Sequence, residues 1–352
     1  MTATPIYSLN NHGLMTRIKW LKDSVKTSIT SQAGRELLLI YSPCISKLGW
    51  LESWTKIFQE RKIKFNLYQL DKEPHWDNLV ECRSLVSSKT RIWGIGGGSV
   101  LDLAKLASVE VDECEQKMDF LRPKKLIQTN KVWLFPTHYS SSAYVSSSAT
   151  LVLDRQKISG VGLTSEKVIV DPDVLISIPN QAWTYGSVDT ITHFVEILCS
   201  IKPSNSLKLM ALMGWWEDYL VALRIRDHES LFYLAAFLYS DLFILHSVNW
   251  PIHHIAHEFG PKIGLGHGEV LALLLPLFLK ARLANPAYEN YNKILQAVDK
   301  WIDLQSFSSI DQKQLCIFKN LTLWNKTNWF DPKESQTAYD LKQYLIKRNG
   351  LD

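Results

Sequence analysis

The stretch Ile92-Trp-Gly-Ile-Gly96-Gly97-Gly98-Ser99-Val-Leu-Asp102-Leu-Ala-Lys105 decides the fold. A short apolar run, Arg91 to Ile95, leads into three consecutive glycines, and helical spacing follows from Ser99 to Val109. A buried strand that turns straight into a helix belongs to a parallel sheet covered by helices. Glycines at such a turn let the backbone approach a ligand without a Cβ in the way. Ser99 is placed to cap the helix, and Asp102 lies on its first turn. The N–H groups and the positive helix end together suit a pyrophosphate. A tight turn with no ligand is the competing reading. The glycines are consecutive, unlike GxGxxG, and no GK[ST] follows, so neither common phosphate motif is present.

The alternation continues outward from this turn. Glu36 to Tyr41 reads as a buried strand ending at Ser42-Pro43, 48–61 as a helix, and Lys64 to Leu70 as a strand. Residues 77–88 read as helix and Val132 to Pro136 as a further strand. From about residue 180 the spacing becomes helical, with candidate helices at 187–200, 206–224, 229–246, 250–258, 268–283, 288–303, 311–320 and 333–348. The expected architecture is an α/β, Rossmann-like dinucleotide-binding domain over 1–179. An all-α domain carrying metal and substrate sites follows over 180–352. A cleft between the two is the default ligand site.

Composition narrows the function. The chain has 352 residues, 46% of them hydrophobic and 21% charged, which suits two domains with real cores. A net charge of +4 without a basic stripe excludes nucleic acid as a partner. The longest apolar run, Val270 to Leu279, is too short for a membrane span and contains Pro276. No signal peptide is visible at the start, and five widely spaced cysteines suit a reducing cytoplasm. The 13 tryptophans are read as core and pocket filling.

The second half carries the chemistry. Asp189 and His193 stand four apart in Asp-Thr-Ile-Thr-His-Phe-Val-Glu196, one turn apart on one helix face. His253 and His257 repeat that spacing, and His267 sits between Gly266 and Gly268 ahead of another helix. One carboxylate with imidazoles is a ligand set for Zn2+ or Fe2+. Any one of these histidines alone is more simply a core or surface residue; the paired spacings together point to metal. His254 lies on a different face from His253 and is set aside.

These residues carry a resemblance. The segments GGGSVLDLAK at 96–105, PT at 136–137, VDP at 170–172, DTITHFVE at 189–196, HHIAHEFG at 253–260 and GHGEVLALLLP at 266–276 occur in family order. The chain thus resembles the iron-containing (group III) alcohol dehydrogenases, with the fold they share with glycerol dehydrogenase and dehydroquinate synthase. The resemblance implies that Asp189, His193, His253 and His267 bind the metal and that His257 stands near nicotinamide and substrate as the catalytic histidine. It implies cofactor contacts from Gly96, Gly97, Gly98, Ser99, Asp102, Thr137, Ser141 and Lys157.

Two departures from the family pattern stand out. The usual T-G-S-E type run after Thr137 reads His138-Tyr-Ser-Ser-Ser-Ala-Tyr144, with serines for glycines and Tyr144 at the acidic position. The region after Pro276 matches poorly. Ser42 occupies the position after the first strand where NAD-preferring members carry an aspartate, so NADPH is expected to be tolerated beside NADH. The expected activity is metal-dependent, NAD(P)H-linked reduction of a small aldehyde or ketone, or oxidation of the alcohol, in a dedicated pathway. A phosphonate-type aldehyde is one analogy for the substrate. Homodimer formation is left open. A dehydroquinate synthase-like cyclase, and a diverged nucleotide binder without catalysis, are the rival readings. Asp189 speaks against the first and the retained ligand types against the second.

Overall fold

The computed structural model describes residues 6–9, 15–29, 36–110, 126–153, 156–201, 204–239, 250–283, 289 and 291–303. They fall into two compact units, Met1–Asn180 with Arg226–Asp241, and Gln181–Ile225 with Leu242–Asp352.

The first unit is built on strands β1 (Ile6–Leu9), β2 (Met15–Trp20), β3 (Glu36–Tyr41), β4 (Lys64–Gln69), β5 (Thr90–Gly96), β6 (Val132–Pro136) and β9 (Lys167–Val170). Their order is β1-β2-β9-β6-β5-β3-β4, and every pairing is parallel except that of β1 with β2. β5 and β6 are buried along their whole length, as strands covered on both faces must be. β4 closes one edge, and it is the strand whose side chains are mostly exposed or half-buried. Helices α1 (Ser24–Ile29), α2 (Pro43–Lys47), α3 (Trp50–Glu60), α4 (Trp76–Ser84) and α5 (Gly98–Ala107) alternate with the strands. The single helix expected over 48–61 is instead α2 and α3, parted where Gly49 turns left-handed at φ 72°.

Tryptophan holds this core. Trp93 of β5 stacks on Trp133 of β6 with centroids 5.5 Å apart and rings 10° from parallel. Phe135 and Phe58 pack on the same indole, and Trp93 is fully buried.

Strands β2 and β9 are absent from the sequence reading, as is the antiparallel hairpin of β7 (Ser148–Leu153) and β8 (Gln156–Val161). The VDP segment ends β9 and opens α6 (Pro172–Ile176). Asp171 caps α6 by accepting from Asp173 N at 3.1 Å, and it also accepts from Ser24 N at 2.8 Å.

The second unit contains α7 (Asn180–Ser200), α8 (Ser206–Ile225), α10 (Pro251–Ile263), α11 (His267–Leu283) and α12 (Asn292–Asp303). Phe194 lies between Trp215 and Trp216, with centroids 5.0 and 5.2 Å away. α10 runs past the expected end at 258, tolerating Pro261 in its last turn, and it stops where Gly264 adopts φ 71°. The helices expected at 311–320 and 333–348 lie outside the described residues, as does His246. Among the described residues, no helix is long and apolar enough to cross a membrane.

Helix α9 (His228–Leu238) departs from the sequence-based division at 180, since it groups with the first unit. Packing explains this. Phe232 of α9 stacks on Tyr144 at 4.5 Å and meets the edge of Trp20 at 5.5 Å.

Replacing Trp93 with alanine empties the centre of the β5–β6 core. It is expected to lower the unfolding free energy by about 3–5 kcal/mol, read from urea denaturation.

Candidate functional site

Three helices of the second unit bring one carboxylate and three imidazoles together. α7 presents Asp189 and His193 on one face, α10 presents His253, and α11 begins with His267. One ligand atom each from Asp189, His193 and His253 lie within 4.8 Å of one another. Asp189 Oδ1 is the shared point. It lies 3.2 Å from His193 Nδ1, 3.3 Å from His253 Nε2 and 3.9 Å from His267 Nε2. Gly268 permits the approach of α11, since a Cβ there would stand 2.8 Å from the Tyr185 Cβ. Trp250 sets its ring edge-on to His193 and His253, at 5.3 and 5.8 Å. His257 sits one turn beyond His253, its ring centroid 5.3 Å from that of His267.

The electrostatics fit a cation. Burial alone would raise the pKa of Asp189, but His193, His253 and His267 outweigh it and hold the carboxyl well below its usual range. Burial works against charge on His253, yet Glu196 and the bonds to Asp189 and Glu196 raise its pKa to about 9. Asp189 Oδ1 with three imidazole nitrogens within 4 Å offers a divalent ion one carboxylate and three neutral nitrogen donors. The residues present therefore fit Zn2+ or Fe2+.

Glu196 was quoted within the α7 motif but not singled out from the sequence. It is 1% exposed, and its Oε2 meets His253 Nδ1. Its place seven residues after Asp189 and three after His193 puts it on the same helix face, which was the available signal.

In the first unit, β5 runs into Gly97 as the N-cap of α5. Ser99 is not the cap expected from the sequence, because the helix starts at Gly98 and Ser99 already lies inside it. The cap residue thus has no side chain to spend on the first-turn N–H groups, which suits an anion there. Beside Gly97 the space is open, whereas a Cβ on Gly98 would lie 2.5 Å from Ser141 Oγ. Thr137 N donates to Gly96 O at 3.0 Å, and Ser42 N donates to Ile95 O at 3.1 Å. Gly96, Gly97, Gly98, Thr137, Ser141 and Ser42 therefore gather at the carboxyl ends of β3, β5 and β6.

A family model described as iron-containing alcohol dehydrogenase matches residues 22–172. Long-chain-alcohol dehydrogenase 1 of Geobacillus thermodenitrificans is 24% identical over 72% of this chain and 68% of its own length. The 4-hydroxybutyrate dehydrogenase of Clostridium kluyveri is 23% identical over 63% of each chain. Over these residues the chain is similar to the iron-containing alcohol dehydrogenases. The fold agrees: the crystal structure of NADH-dependent butanol dehydrogenase A from Thermotoga maritima superposes with a TM-score of 0.75. That match has 18% identity and covers 97% of this chain and 99% of that one.

The chain holds its 138–144 loop by internal bonds. Tyr144 does not stand in for an acidic side chain: it is buried and its hydroxyl donates to Tyr139 O at 2.9 Å. The Tyr239 hydroxyl donates to Ser140 O, and Ser141 Oγ accepts from Ala143 N at 3.1 Å. Asp102 is not on the first turn of α5 but one turn further in, because the helix starts at Gly98. It is 8% exposed and accepts from Thr150 N at 3.0 Å and Thr150 Oγ1 at 2.8 Å. Lys157, on β8, pairs with Glu73 at 2.5 Å. Both side chains thus have partners inside the first unit.

Lys105, which the sequence did not mark as a site residue, is fully buried. Its ammonium donates to the carbonyls of Ala143 (2.8 Å), Ser146 (3.4 Å) and Ser148, and faces Asp102 at 3.4 Å. Burial pushes its pKa down, opposed by Asp102. Lys105→Met would remove the donor shared by three carbonyls and the cation that faces Asp102 Oδ1. An unfolding free energy lower by roughly 3–5 kcal/mol is expected in urea, with metal content of the folded fraction unchanged.

Proposed function

We propose that the chain is a metal-dependent, nicotinamide-linked alcohol dehydrogenase acting chiefly as an aldehyde or ketone reductase. One observation carries the reading: in a chain similar to the iron-containing alcohol dehydrogenases, Asp189 Oδ1 lies within 4 Å of nitrogens from His193, His253 and His267. A core stabilised by ordinary packing has no use for three imidazoles on one half-buried carboxylate. As bound groups, the cation would polarise the substrate oxygen and the nicotinamide would carry the hydride.

The protein's own residues do the rest. Asp189, His193, His253 and His267 hold the cation, and this donor set suits either Fe2+ or Zn2+. The Trp250 ring limits water around His193 and His253. A ring nitrogen of His257 takes or returns the proton that accompanies reduction. Gly97, Gly98 and Ser99 offer backbone N–H groups to the pyrophosphate of NADPH or NADH, with Thr137 and Ser141 beside them. Ser42 carries no charge to repel a 2′-phosphate, so NADPH is accepted as well as NADH. A small aldehyde is the substrate class, with anionic substituents such as phosphonate included.

The test is oxidation of NADPH and NADH by the purified chain with aliphatic, carboxylated and phosphonate-bearing aldehydes, with and without Fe2+ or Zn2+. Metal-dependent net turnover is expected, and its absence across the panel rejects the dehydrogenase. His267→Ala is expected to fold yet lose bound metal; full metal content in that variant rejects the ligand assignment. Ser42→Asp should shift preference from NADPH toward NADH by roughly tenfold or more in kcat/KM, because it sets a carboxylate against the 2′-phosphate.

A further inference from the structure

We infer that Glu196 selects which nitrogen of His253 carries the proton, and so controls metal affinity without touching the metal. The inference rests on the metal-dependent reading above.

The two oxygens of Glu196 have different partners. Oε1 accepts the backbone N–H of Ile252 at 2.6 Å and that of His253 at 3.3 Å. Oε2 faces His253 Nδ1. A carboxylate from α7 thus caps the start of α10, where Trp250 at the N-cap makes no side-chain bond. An ionised carboxylate only accepts. It therefore keeps the ring proton on Nδ1 and leaves the Nε2 lone pair for a cation beside Asp189 Oδ1, 3.3 Å away.

Glutamine is the same size but asymmetric. The two backbone donors require an oxygen at the Oε1 position, which forces the amide nitrogen toward His253 Nδ1. A donor there makes Nδ1 the acceptor and moves the ring proton to Nε2, the ligand position. Glu196→Gln therefore keeps the helix cap and removes a metal ligand. A purely structural role for Glu196 predicts the reverse: glutamine caps nearly as well, so metal binding survives.

The experiment measures Zn2+ affinity of the full chain by competition with a chromophoric chelator, for wild type, Glu196→Gln and Glu196→Ala. The metal-free thermal midpoint is recorded for each. Glu196→Gln is expected to bind Zn2+ about 10–100-fold more weakly, with a metal-free midpoint that falls less than that of Glu196→Ala. Its Co2+ derivative should show a visible spectrum altered by loss of one nitrogen ligand. Glu196→Ala is expected to lose both affinity and midpoint. Wild-type Zn2+ affinity in Glu196→Gln overturns the inference. So does a midpoint in Glu196→Gln that falls as far as in Glu196→Ala, which leaves a cap and nothing more. A wild-type chain that binds no Zn2+ or Co2+ fails earlier, and rejects the metal-dependent reading itself together with this inference.

Discussion

A carboxylate largely withdrawn from water is tolerable only when its charge is answered, and half-buried Asp189 is answered by three imidazoles from helices α7, α10 and α11. Much of the second unit follows from that requirement. α10 must start where His253 reaches both Asp189 and Glu196, so Pro251 opens it and Glu196 receives its first N–H groups. α11 must start close to α7, so Gly268 stands where no Cβ fits beside Tyr185. The turn between α10 and α11 must be short, and Gly264 in a left-handed conformation makes it so.

The first unit contains a smaller version of the same problem. Lys105 and Asp102 are buried one helical turn apart, and each is satisfied by backbone groups of the chain from Ala143 to Thr150. That bonding draws this segment onto α5. Ser141 then lies against Gly98, beside the turn suited to a pyrophosphate. The serines that replace the family's glycines in the 138–144 loop are compatible with this arrangement. The loop is held by the Tyr144 and Tyr239 hydroxyls and by Lys105 rather than by glycine turns. Polar groups that a family motif would assign to a ligand are here partly committed to holding the backbone that faces one.

Local periodicity made part of this visible in advance. The parallel sheet could be read because β3, β5 and β6 are short apolar runs that a two-sided burial demands, and β5 leads straight into three glycines. Strand β2 and the β7–β8 hairpin could not, since their sequences mix polar and apolar residues and become strands only by pairing; β9 is only the four residues Lys-Val-Ile-Val, too short a run to stand out. Asp189 with His193, and His253 with His257, could be read because four residues make about one helical turn. Ser99 was misplaced as a cap because a two-residue shift of a helix cap, here to Gly97, leaves little mark on periodicity.

What the sequence determined by itself is therefore whatever a few adjacent residues enforce: the strand–glycine–helix turn, the helical faces that carry the ligand types, and the family that those motifs resemble. The tertiary structure alone decided which distant groups meet. Glu196 and His253 are 57 residues apart, and Tyr144 gains its place from Phe232 on a helix the chain reaches much later. Hydrogen bonds and ring contacts act over a few ångströms of space and are indifferent to separation along the chain, so no spacing rule reveals them before the helices are packed.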